Sequence, residues 1–127
     1  MTTPVIRNVQ SVTLGSRSPK PTALDRNQME ALLTVWADQQ LGAEAGVWEA
    51  EPGTFSAHRA DYHEICLVLS GSAVLTEDGQ PPIQVSAGDL FVTPAGWRGT
   101  WTVQETLRKV FVVIDQVGPV NGCVDNG

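Results

Sequence analysis

The chain has 127 residues, 42% hydrophobic and 17% charged, with no low-complexity run, which describes one globular domain with a packed core rather than a disordered chain. Fourteen acidic against eight basic residues leave a formal charge of −6, and without a Lys/Arg cluster to neutralise phosphates nucleic acid is not an expected partner. No apolar stretch has the length of a membrane span, no basic start precedes an apolar block, and Cys66 and Cys123 make no disulfide framework, so a cytoplasmic protein with free thiols and no membrane partner is expected.

In chain order, residues 1–20 read as an N-terminal arm or edge strand, the strand falling around Val5 to Val12, and such an arm is suited to packing on a neighbouring subunit. Residues 21–117 form the body of the domain. Met29 to Trp36 fits helical spacing as well as an extended segment; the β-prone Thr34-Val35-Trp36 favours a strand that turns near Gly42 to pair with 45–50. From Ala45 to Asp115, runs rich in Val, Ile, Leu, Phe, Trp and Thr are cut by Gly, Pro and Asp about every ten residues, the rhythm of an all-β sandwich or barrel. Strands are predicted near 45–50, 54–58, 62–69, 72–77, 82–86, 89–93, 100–104 and 107–115. Turns are predicted at Glu51-Pro52-Gly53, Gly71-Ser72, Asp78-Gly79, Ala87-Gly88-Asp89 and Pro94-Ala95-Gly96. Residues 118–127, rich in Gly and Asn, read as a flexible tail.

Strand alternation assigns faces. If Glu64 looks inward, so do Tyr62, Cys66 and Val68, while His63, Ile65, Leu67 and Leu69 look outward. That outward row is nearly all apolar and needs a cover, either a second subunit, giving a homodimer, or the N-terminal segment. On the last strand Arg108, Val110, Val112 and Ile114 share one face and Lys109, Phe111, Val113 and Asp115 the other; periodicity does not choose between them.

Two stretches carry motifs. His58-Arg59-Ala60-Asp61-Tyr62-His63-Glu64 closing on Gly71, and Gly88-Asp89-Leu90-Phe91-Val92-Thr93-Pro94-Ala95-Gly96-Trp97-Arg98-Gly99, resemble the two motifs of a cupin barrel. Ala60 and Gly99 stand where that superfamily places two of its histidines. Gly46-Val47-Trp48-Glu49, Leu69-Ser70-Gly71 and Pro94-Ala95-Gly96-Trp97-Arg98-Gly99-Thr100-Trp101 are further similar to the small single-domain group named for the cupin domain of (S)-ureidoglycine aminohydrolase. The resemblance implies a jelly-roll barrel of two antiparallel sheets with a pocket between them. It also implies a divalent transition metal, manganese, iron, nickel or zinc, for which this chain retains only His58 and Glu64 of the usual ligands, so that Tyr62, Cys66 or Glu51 would have to join them.

A carboxylate mid-strand among apolar residues must be paired, hydrogen-bonded or protonated. Glu64 is thus the candidate catalytic acid or base, or a structural partner of Arg98 or Arg108. Candidate ligand-binding residues are Tyr62, Cys66, Arg98, Trp101 and Trp48, with Trp101 filling space where a metal-binding imidazole is missing. The tryptophans at 36, 48, 97 and 101 are either stacking surfaces at a pocket mouth or barrel core, and Cys66 is expected to be a buried, inert thiol. Three functions remain open: an enzyme acting on a small ureido, amino or carboxylated metabolite, a metal-free binding or sensing module, and an accessory subunit.

Overall fold

A computed structural model describes residues 2–116, which contain eight strands and no helix. The strands are β1 (Ser18–Pro19), β2 (Met29–Asp38), β3 (Ala43–Ala50), β4 (Gly53–His58), β5 (Tyr62–Glu77), β6 (Ile83–Ser86), β7 (Leu90–Thr93) and β8 (Arg98–Asp115). All pairings are antiparallel. No helix long and apolar enough to cross a membrane occurs among these residues. The predicted tail 118–127 and Cys123 lie outside them.

The two walls of the jelly roll are made by strands that serve both. The C-terminal half of β8 pairs with β3, and its N-terminal half pairs with β4. Likewise the N-terminal half of β5 pairs with β7 and its C-terminal half with β6. One wall therefore runs β1-β2-β3-β8-β5-β7 and the other β4-β8-β5-β6. The sequence reading broke β5 and β8 into two strands each; instead both continue through register shifts at 68–73 that bend them from one wall to the other. Gly71, at φ +85°, sits in that bend with its α-carbon against the Thr106 carbonyl, where a β-carbon has no room.

β2 is a strand, as the β-prone Thr34-Val35-Trp36 indicated. The arm differs from expectation: Val5 to Val12 is not a strand but a chain with a turn at Asn8 (φ 57°), and only Ser18–Pro19 pairs with β2. Its anchor is Arg108, whose guanidinium donates to the carbonyls of Val9 and Val12 at 3.0 and 2.8 Å and to Glu49 at 2.8 Å. Those bonds replace the missing strand ladder.

Between the walls lies an aromatic core centred on Trp101, which is fully buried. Its ring centroid is 5.4 Å from Phe55, 5.5 Å from Phe91 and 6.3 Å from Trp48, at the inclined and edge-on angles aromatic quadrupoles prefer. Cys66, Val68, Ala73, Val103 and Leu107 complete it.

Candidate functional site

One end of the space between the walls stays open as a cavity of about 350 Å³. Strand parity places its floor. Glu64, Cys66 and Val68 are buried on the inner face of β5, while Ile65 and Leu67 are exposed on the outer face. On β8 the inner face proves to be that of Lys109, Phe111 and Val113, the set periodicity left undecided.

Glu64 and Lys109 thus meet inside the barrel, Nζ donating to Oε2 at 3.0 Å. The third member is Arg59, from the bend between β4 and β5. Its Nη2 donates to Glu64 Oε1 at 2.6 Å, its Nε to Thr93 Oγ1 at 3.1 Å and its Nη1 to Tyr62 Oη at 3.3 Å. Glu64 therefore pairs with neither Arg98 nor Arg108. Arg98 alternates with the inward Gly99 and Trp101 and is exposed on the outside, away from the cavity, and Arg108 is on the outer face with the arm.

Lys109 also lies over two indoles, 4.2 Å from the Trp101 centroid and 4.4 Å from that of Trp48, where the ring faces stabilise an ammonium removed from water. A third cation enters from the arm. Lys20 reaches between the walls to lie 4.3 Å from the Phe55 centroid and 5.5 Å from that of Trp48, and donates to Glu30 Oε1 at 3.2 Å. The Trp48 indole donates to the same Glu30 oxygen at 2.9 Å.

These charges act on one another. Burial pushes the Glu64 carboxyl up, but the fields and hydrogen bonds of Lys109 and Arg59 outweigh it and hold the group below its ordinary 4.5. Glu64 is a carboxylate with both oxygens bonded, a poor proton donor and a weak base. Burial, reinforced by repulsion from Lys109 and Arg59 and opposed by Glu30, holds Lys20 below its ordinary 10.5. Burial likewise pushes the Cys66 thiol up to about 11, which makes it inert near neutrality.

Of the residues singled out in the sequence, Glu64, Tyr62, Trp48 and His58 line the cavity, His58 at its exposed rim. Cys66 and Trp101 lie beneath it, fully buried and out of reach of a ligand. The tryptophans share no pocket mouth: Trp48 is a wall, Trp97 and Trp101 are core, and Trp36 is exposed. Arg59, Lys109 and Lys20 were missed. A signal existed for two of them, since Lys20 and Lys109 are the only lysines in the chain and Lys109 stands on its face between the apolar Leu107 and the apolar Phe111 and Val113.

The donor set does not fit a divalent transition metal. No group of three His, Cys, Asp or Glu side chains comes together among the described residues, and the buried carboxylate, Glu64, is already bonded to two cations that would repel a dication. Glu51, a possible further ligand, instead faces Arg17 at 3.5 Å and the Met29 amide at 3.2 Å. At the position of one missing histidine, Gly99 backs onto the Thr76 carbonyl so closely that no β-carbon fits. At the other, Ala60 is exposed in the 59–61 bend, and the neighbouring Arg59 turns inward.

Comparison with known proteins agrees with this architecture. The model of the EutQ-like cupin domain matches residues 38–111. The EutQ protein of Clostridium difficile superposes with a TM-score of 0.65 at 20% identity, over 85% of this chain and 84% of that one. A DUF861-family protein of unknown function from Pseudomonas syringae gives 0.68 at 21% identity, over 84% of this chain but 46% of its own. Ectoine synthase from P. lautus gives 0.62 at 11% identity, over 76% and 70%. No curated protein matches the sequence. At these identities the likeness extends to the fold.

Proposed function

The chain belongs to the EutQ-like cupin family, and from that premise we propose that it is a metal-free cupin whose cavity takes a compact carboxylated metabolite, working as a homodimer in the cytoplasm. One observation carries this reading: a single buried carboxylate serves two cations at the cavity floor. Glu64 neutralises one charge of the Arg59 and Lys109 pair, and both retain N–H donors that it does not use. An anionic ligand supplies the missing charge and the missing acceptors. Tyr62 Oη and the Trp48 face offer a polar contact and an apolar wall for the remainder of the molecule. The narrower likeness of the Pro94 to Trp101 string to the ureidoglycine aminohydrolase cupin supports a small ureido or amino acid within that class.

Calorimetric titration with acetate, lactate, succinate and inorganic phosphate tests the proposal, run on protein before and after chelation and with elemental analysis of the same sample. The expected result is saturable binding of at least one carboxylate, unchanged by the chelator and at least tenfold weaker in Arg59→Gln. Absence of binding by every anion, or binding that disappears with stoichiometric metal, would overturn it.

A further inference from the structure

Resting on that anion-binding reading, we infer that Lys20 is a nucleophilic amine which captures a 2-oxo acid as an imine, while Arg59 and Lys109 hold the carboxylate of the same molecule. The chain has two lysines, and both line this cavity rather than the surface. A lysine kept for solubility or for a surface ion pair would not be drawn from an N-terminal arm into the space between two sheets. The two are differently committed. Lys109 is bonded to Glu64 and held over two indoles at the floor, and it serves as an anion receptor. Lys20 has one hydrogen-bond partner, Glu30, at the longer distance of 3.2 Å, and its nitrogen lies 4.3 Å from the Phe55 centroid and 5.5 Å from that of Trp48.

An amine adds to a carbonyl only when unprotonated, and a lysine becomes such a nucleophile when desolvated on an apolar surface beside other cations. Lys20 meets both conditions. Burial lowers the Lys20 pKa from its ordinary 10.5, Glu30 on β2 opposes that, and Lys109 on β8 and Arg59 in the β4–β5 bend add to it, so that the neutral amine is more accessible than in a surface lysine. Glu30 is also placed to accept the proton that Lys20 releases. In the reaction the Lys20 nitrogen forms a bond to the carbonyl carbon and the C=O π pair moves to oxygen. The two amine hydrogens then leave with that oxygen as water, giving a C=N bond without oxidant or reductant. A 2-oxo acid suits the layout because its carboxylate and electrophilic carbon are adjacent, matching cationic floor and amine wall in one compact cavity.

Pyruvate with cyanoborohydride tests this, with peptide mapping of the adduct by mass spectrometry. The hydride reduces any imine to a stable secondary amine, and lactate, the alcohol twin of pyruvate, serves as a ligand that cannot form one. One adduct per chain on Lys20 is expected, at least tenfold slowed by excess lactate and lost in Lys20→Arg, which keeps the charge. Calorimetry of lactate on Lys20→Arg separates the two readings. Retained lactate binding with no Lys20 adduct in the wild type overturns the imine while leaving the anion site standing; loss of lactate binding by the wild type removes the ground for both. An adduct on Lys109 or on the chain's α-amine in place of Lys20 equally overturns the assignment.

Discussion

Glu64 is held as an anion in a largely desolvated place at the cavity floor, and its neighbours define what it can do. Desolvation alone would raise its pKa; two cations within hydrogen-bond distance reverse that direction. The residue that looked most catalytic in the sequence is therefore a counter-ion that keeps Arg59 and Lys109 in position. Glu64→Gln preserves shape and leaves those cations uncompensated, so a loss of about 3 kcal/mol or more is expected at pH 7, as for breaking a buried pair from one side. The sign with pH follows from the depressed pKa. Between its folded value and the ordinary 4.5 the unfolded chain binds the extra proton, so the contribution of Glu64 is complete above 4.5 and lost as pH falls through the folded value. Urea unfolding from pH 7 downward should show wild type and Glu64→Gln converging only in acid. A gap that stays constant with pH would mean that Glu64 has the same pKa in the folded and the unfolded chain.

Strands were legible where alternation and punctuation agree, and illegible where a strand bends without stopping. Gly71-Ser72 has the composition of a turn, yet β5 runs through it because register shifts absorb the bend and the sheet ladder resumes on the other wall. The cations escaped for a related reason. Arg59 lies in a bend with no period, and Lys20 comes from an arm whose path is set by Arg108 and a tertiary bridge between Ala23 and Phe55, contacts that no local pattern encodes. Gly99 shows the converse. Read as a lost ligand, it is instead a point of close approach between β8 and the Thr76 carbonyl of β5. Gly99→Ala should cost about 1–3 kcal/mol through overpacking, and Gly99→His should destabilise further without conferring metal binding. Chemical denaturation and metal titration of the two variants check this; an Ala variant as stable as wild type would show that the strands part freely there.

At the scale of the whole molecule, the arm and the outer sheet face answer different needs. The arm is tied at Arg108 and delivers Lys20 to the cavity, but it leaves the outer end of the long wall uncovered. There Leu67 lies opposite Leu90 and Ile65 opposite Val92, all exposed, with Leu90 at 69% of its full surface and Val92 at 51%. A contiguous apolar patch on a sheet face, as opposed to scattered apolar side chains, marks an association surface. The homodimer proposed above would cover it, each copy presenting the same β5–β7 patch to the other. Sedimentation velocity at micromolar concentration should return a dimer. Leu67→Glu combined with Leu90→Glu should return a monomer that keeps its β-sheet circular dichroism and its carboxylate binding, since neither residue touches the cavity. A wild-type monomer with this patch open to solvent would instead assign the face to a different protein.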